Sequence, residues 1–183
     1  MKRLAILTGL AFALTTHISM AEAQQPYAGF NIRPIKALSD QQIADLKAGR
    51  GMGLALAAEL NGYPGPAHVL ELAEPLALTE AQHAKMQELF AAMKAETVPI
   101  GEKMIAQEAS LEREFSGKTI TEASLTAAMQ AISSTQAALR AAHLKYHLAT
   151  ANVLSPTQVQ RYAELRGYSS GPQTEHQHGG HQR

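Results

Sequence analysis

Apolar and polar positions between residues 79 and 115 alternate with a helical beat. Met86, Phe90, Met93, Thr97, Ile100, Met104, Gln107 and Leu111 follow one another by four and three residues, the spacing that draws a single stripe down one helix face. A second stripe runs through Leu125, Met129, Ile132, Gln136, Leu139, His143, Tyr146 and Thr150. Only Ser116-Gly117-Lys118 and a few residues lie between them, too few for anything but a tight reversal. The spacing therefore predicts an all-α chain built on a long antiparallel helical hairpin. Pro99 falls inside the first stripe and is expected to kink it, because its ring crowds the preceding turn and it donates no backbone bond.

Shorter helices flank the hairpin. One is expected to open at Ser39 and to meet Gly49, Gly51 and Gly53, which either end it or let another backbone approach closely. The apolar run Leu54 to Leu60 reads as helical and stops at Asn61-Gly62. A Pro64-Gly65-Pro66 turn and a short helix over His68 to Ala73 follow. A last helix spans Ser155 to Arg166 and ends at Gly167.

Three of these helix starts carry the same phrase, Leu-[Ser/Thr]-x-x-Gln. The copies are Leu38-Ser39-x-x-Gln42, Leu78-Thr79-x-x-Gln82 and Leu154-Ser155-x-x-Gln158. Each is a capping box: the hydroxyl accepts from the third helical N–H, and the Gln reaches back to the cap's own N–H. The Leu is placed to act as a staple on the first turn. In the third copy Pro156 takes the first helical position, where a missing N–H costs nothing. Thr121 is expected to cap the second hairpin helix.

The N-terminus reads as a cleavable export signal. Lys2 and Arg3 precede an apolar stretch, Leu4 to Leu14, that is too short to span a bilayer, and Ala21-Glu22-Ala23 is a small-x-small cleavage site. The expected organisation is a signal peptide over 1–23, an extended lead-in over 24–37, a helical domain over 38–168 and a His-rich tail over 169–183. Cleavage after Ala21 is the competing choice. After cleavage no transmembrane anchor is expected, and the location is the periplasm. Taking Lys2, Arg3 and Glu22 from 16 basic and 16 acidic residues leaves 14 and 15. That balance offers no attraction to a phosphate backbone, which argues against a nucleic-acid partner. The chain has no cysteine, which excludes disulfides, thiolate metal sites and thiol chemistry.

An exported, all-helical chain carrying these motif copies resembles the Spy/CpxP family of periplasmic proteins, over roughly residues 78 to 166. The second copy, Leu78-Thr79-x-x-Gln82, has the full family pattern, and the other two have Ser for Thr. That family includes ATP-independent chaperones, a stress-pathway regulator and ZraP-type zinc-linked relatives. The resemblance implies a cradle-like antiparallel homodimer. It also implies a structural role for the motif residues.

Candidate chemistry lies in three places. His176, His178 and His181 follow a Ser-Ser-Gly-Pro linker, and imidazoles this close on a chain can wrap Zn(II), Cu(II) or Ni(II). His143 and His147 lie four apart on one helix face and form a second candidate pair, with Glu96 or Glu88 as a third ligand. No Glu follows His143 directly, so the H-E-x-x-H protease pattern is not met. Met86, Phe90, Met93, Met104 and Met129 supply adaptable side chains for a surface that holds unfolded chains. Gly49-Arg50-Gly51-Met52-Gly53 has neither the preceding strand nor the Gly-Lys-Ser/Thr that a nucleotide loop needs, and no catalytic motif appears. The expectation is therefore not an enzyme. It is a periplasmic holdase that binds unfolded or envelope proteins and requires no cofactor. The alternatives are a heavy-metal binder or sensor, and a regulatory partner of an envelope sensor kinase.

Overall fold

The computed structural model describes residues 27–168. The export signal and the tail histidines His176, His178 and His181 lie outside the described residues. Within them the chain forms a 3-10 turn, Phe30–Ile32, and six α-helices: α1 Asp40–Ala48, α2 Leu56–Glu59, α3 Pro66–Glu71, α4 Glu80–Ser116, α5 Glu122–Ala151 and α6 Pro156–Leu165. The long pair α4 and α5 packs along its length into the expected hairpin.

The capping chemistry sets the helix starts. Ser39, Thr79 and Ser155 each accept from the backbone N–H of Gln42, Gln82 and Gln158, and each Gln oxygen accepts from its cap's N–H. Thr121 does the same for α5, with Ser124 in place of Gln. The apolar run after Gly53 yields only the single turn of α2. Gly53 and Gly62 both take left-handed backbone angles (φ 80° and 83°) and confine the helix between two turns. Helix α3 begins at Pro66, two residues before the expected start, because a proline fits the first helical position. Helix α4 runs through Pro99 as one element of 37 residues. The proline is exposed there, so its ring meets solvent.

Two apolar cores sit along the hairpin. At its open end Met86 of α4 packs with Val69, Leu76, Leu154 and Tyr162. Further along, Leu139 of α5 packs with Ile35, Leu38 and Leu46, and half-buried Ile100, Met104 and Ile105 of α4 complete that cluster. Helix α1 reaches this position by close backbone approach. A β-carbon on Gly101 would lie 2.5 Å from the Leu46 carbonyl oxygen, and one on Gly49 would lie 2.6 Å from Thr97 Oγ1. Gly49 also ends α1 in a left-handed conformation, φ 65°, so it both closes the helix and lets α4 approach.

The second and third motif copies meet face to face. Gln82 Nε2 donates to Gln158 Oε1 at 2.9 Å, and Gln158 Nε2 donates to Gln82 Oε1 at 3.0 Å. Each amide also donates to a carbonyl just before the other motif copy: Gln82 to Val153 O at 3.0 Å and Gln158 to Leu76 O at 3.3 Å. Gln42, in the first copy, forms its capping box with Ser39.

The far end of the hairpin is built differently. Beyond Gly101 on α4, and before Ile132 on α5, no residue is buried. The lead-in reaches that region at the Lys36–Glu112 ion pair, 2.5 Å. Past it, Phe115, Leu125 and Met129 are exposed.

Candidate functional site

A single carboxylate organises the open end of the hairpin. Glu59 closes α2 and is only 6% exposed. Its position follows from the short α2 turn, which carries the Glu side chain inward while Leu56 and Leu60 face outward, both exposed. The carboxylate accepts from the Tyr162 hydroxyl of α6, from Tyr168 Oη at 3.3 Å and from the Gly65 N–H at 3.2 Å. His68 Nδ1 of α3 lies 3.3 Å from one oxygen, and His147 Nδ1 of α5 lies 3.6 Å from the other. Arg166 Nε stands 3.9 Å away. Five segments are thus tied to one charge.

Burial alone would push the Glu59 carboxyl upward. The bonds from His68 and Tyr162, with the positive charge available on His68 and His147, overcome it and bring the pKa down to about 2. Burial of its ring, and then the bond to Glu59, push the Tyr162 phenol up. The carboxylate is therefore ionised and saturated with donors, a structural junction of the kind that holds elements in register.

The Pro64-Gly65-Pro66 turn is shaped around His147. Its Nδ1 donates to the Tyr63 carbonyl at 2.7 Å, and a β-carbon on Gly65 would come within 2.9 Å of the imidazole. His143, one turn earlier, is 2% exposed, and its Nε2 has no hydrogen-bond partner. Burial, then the neighbouring His147, lowers its pKa, so the ring is held neutral.

These positions revise the histidine pair as a metal site. Glu96 is bonded instead to Lys145 at 2.5 Å and to Tyr146 at 3.0 Å, both on α5. Glu88 pairs with Lys85 at 2.7 Å. Neither reaches the imidazoles, and His147 already spends its Nδ1 on Tyr63. Among the described residues no group of three or more His, Cys, Asp or Glu is placed to hold a metal. His143 and His147 are packed core histidines.

The methionine set also divides. Met86 is fully buried and Met93 is 6% exposed, so both fill the core and neither offers a client surface in this fold. Their stripe faces α5 and α3, where the hairpin has its own apolar partners. Phe90 and Met104 are half-buried, and Met129 is exposed. The motif residues hold the helix starts and the two cores: Leu38 and Leu154 are buried, and Leu78 packs half-buried beside Leu154.

Glu59 was not singled out by the sequence. Its one available signal was a lone carboxylate inside the apolar run Leu54 to Leu60, directly before an Asn-Gly turn. A charge there is either solvated or bound by partners distant in sequence, and periodicity cannot say which.

No helix of the described residues is long and apolar enough to cross a membrane. No curated protein and no solved structure matched the chain. The sequence profile of a heavy-metal resistance family matches residues 51–161, from the glycine loop after α1 into α6. That span holds the hairpin, the second and third motif copies and the Glu59 junction, and the chain belongs to this heavy-metal resistance family, which includes the Spy/CpxP/ZraP-type helical periplasmic proteins.

Proposed function

We propose that the protein is an exported, ATP-independent holdase of the Spy/CpxP type. The observation that carries this reading is the far end of the hairpin, where two helices continue past the last buried residue and display Phe115, Leu125 and Met129. Ala109 is the last residue of α4 packed against the Leu139 cluster, and the seven residues after it project by roughly 10 Å at 1.5 Å per residue. Two uncovered helices bury too little surface to satisfy their own apolar stripe, so this end gains by covering itself with another chain. Charged neighbours (Lys103, Arg113, Glu114, Lys118 and Glu122) keep it soluble. Such a surface holds apolar segments by transient burial, which lowers the free concentration of aggregating species without an energy source. A second copy of the chain would cover the same face, so dimerisation and client binding draw on one surface.

A second reading is heavy-metal binding, which the family's description allows, with His176, His178 and His181, outside the matched span, as the candidate ligands. The deciding experiment is light scattering from an aggregating client protein, with metal-free protein tested before and after zinc. Suppression without zinc supports the holdase, and suppression unaffected by truncation after Pro172 assigns it to the helical domain. Absence of suppression in both states overturns it. Suppression only with zinc joins the two readings.

A further inference from the structure

Seven methionines and no cysteine leave thioethers as the chain's sulfur chemistry. The fold treats them unequally. Met86 and Met93 are sealed in the core, Met104 is half-buried, and Met52 and Met129 stand open at 40% and 44% exposed. Oxidation of a thioether to its sulfoxide follows access, so an oxidant reaches Met52 and Met129 first. Met129 lies on the uncovered end of the hairpin. The setting of Met52 is different.

Met52 stands in the glycine loop between α1 and α2, with a cavity on either side. One, of about 330 Å³, lies between α1 and the hairpin, and Leu38, Leu46, Met104 and Leu139 line it. The other, of about 460 Å³, opens toward α3 and α4, with Phe90 and Met93 on its walls. Among the described residues Met52 alone lines both. Its side chain is thus a wedge where α1, the loop and α4 come together. Its backbone is left-handed, φ 44°, a conformation that a residue with a side chain adopts at a cost. Such a conformation persists only where the surroundings hold it, and here they are largely apolar.

Helix α1 depends on the same surroundings. Nine residues make a helix too short to stand alone in water, so packing has to keep it. That packing is the seating of Ile35, Leu38 and Leu46 against Leu139, Ile100 and Met104. The Lys36–Glu112 ion pair beyond it is exposed on the lysine side and adds little. A sulfoxide on Met52 would place a polar oxygen at the edge of this apolar contact, which drives the side chain out toward water. The strained loop then loses the wedge that holds it.

We propose that Met52 is an oxidation site that latches α1. Its thioether keeps α1 on the hairpin, and its sulfoxide releases α1 and uncovers Ile100, Met104 and Leu139. With a peroxide as the oxidant, the sulfur lone pair attacks one peroxide oxygen and the O–O bond breaks. That oxygen stays on sulfur and the other leaves as water, so sulfur gives up two electrons and the peroxide takes them. A methionine sulfoxide reductase reverses the change. The latch stands whether or not the protein is a holdase, and α1 lies before the span that the family profile matches.

The test uses the full chain and hydrogen peroxide. Peptide mass mapping over time is expected to find one added oxygen at Met52 and Met129 well before Met86 and Met93. Hydrogen exchange then follows the α1 amides, which are expected to exchange roughly tenfold faster or more once Met52 is oxidised. Amides of α4 around Met86 and Met93 stay protected, and the dye ANS gains fluorescence on the uncovered face. Met52→Leu is expected to keep α1 protected under the same treatment, and Met129→Leu is not. The proposal is overturned if Met86 and Met93 oxidise as fast as Met52, or if Met52→Leu releases α1 as the parent does. It is also overturned if α1 stays protected with Met52 oxidised, which would mean that Gln42 or Gln136, on the same cavity wall, satisfies the sulfoxide. The oxidised parent carries no substitution, so its α1 exchange decides the matter even if a variant unfolds.

Discussion

Gln82 and Gln158 bond each other in both directions, amide to amide, at 2.9 and 3.0 Å. Each oxygen accepts twice, once from its own cap and once from its partner, and each nitrogen donates twice. An amide can make no more bonds than this. The repeated phrase is thus both a start signal for a helix and one half of a clasp joining the start of α4 to the start of α6. A carboxylate keeps the capping acceptor but cannot donate. Gln82→Glu and Gln158→Glu are therefore each expected to lower unfolding free energy by about 1–3 kcal/mol in urea denaturation. Gln42→Glu, in the copy that has no partner glutamine, is expected to change it by less than about 0.5 kcal/mol. Equal effects at all three positions would reduce the motif to capping alone.

The hairpin was legible because its stripes are long and regular, and the helix starts because capping is local chemistry. The clasp joins residues 76 apart, and neither copy's sequence states that the other lies opposite. Glu59 shows the same limit more sharply. Its donors come from residues 65, 68, 162 and 168, with the His147 ring 3.6 Å away, and only the folded arrangement of α2, α3, α5 and α6 brings them to one point. Met86 and Met93 carry the converse lesson. A methionine on a stripe reads alike whether the stripe meets a client or its own core, and α3 and α5 decide for the core.

Glu59→Ala would strand the Tyr162 and Tyr168 hydroxyls and the Gly65 N–H in a buried pocket. We expect a loss of about 3–5 kcal/mol, measured by thermal or urea unfolding. Glu59→Gln keeps an acceptor of the same shape and should lose less. Retention of parental stability in Glu59→Ala would show that the junction is solvated.

The same carboxylate sets an acid limit. Its folded pKa, about 2, lies below the ordinary 4.5, so the unfolded chain takes up its proton first as pH falls. Its stabilisation is full above pH 4.5 and is lost between there and about 2. The amount is on the order of 3 kcal/mol. Unfolding followed across that window should show the slope in the parent chain and a shallower one in Glu59→Gln.

His143 acts at milder pH and in the same direction. Its folded pKa is lowered from 6.5, so the unfolded state binds the proton more readily. The stabilisation is complete above pH 6.5 and falls as the solution is acidified below it. His143→Gln, which carries no titrating proton, should flatten the stability profile between pH 7 and 5. Unchanged curvature would mean that the ring is solvated.

Gly101 tests how α1 is held. Its missing side chain admits the Leu46 carbonyl oxygen to 2.5 Å of where a β-carbon would stand, and backbone cannot swing aside as a side chain can. In an exposed helix Gly→Ala stabilises by about 1 kcal/mol. Here Gly101→Ala is expected to destabilise by about 1–3 kcal/mol, because α1 must shift off α4. A stabilised variant would show that α1 is loosely seated.

The uncovered end of the hairpin separates activity from stability most cleanly. Phe115 and Met129 are 52% and 44% exposed, and no buried residue lies beyond Gly101 on α4 or before Ile132 on α5. Removing their apolar area therefore takes little from the folded monomer. The double variant Phe115→Ser/Met129→Ser is expected to unfold within about 1 kcal/mol of the parent. A client held by that surface loses the area the two side chains supply, so suppression of its aggregation should fall severalfold. Sedimentation at matched concentration shows whether a second copy leaves as well, as it should if both partners use this face. Undiminished suppression would move client binding elsewhere, and the exposed Tyr27, Phe30 and Ile32 of the lead-in would be the next residues to change.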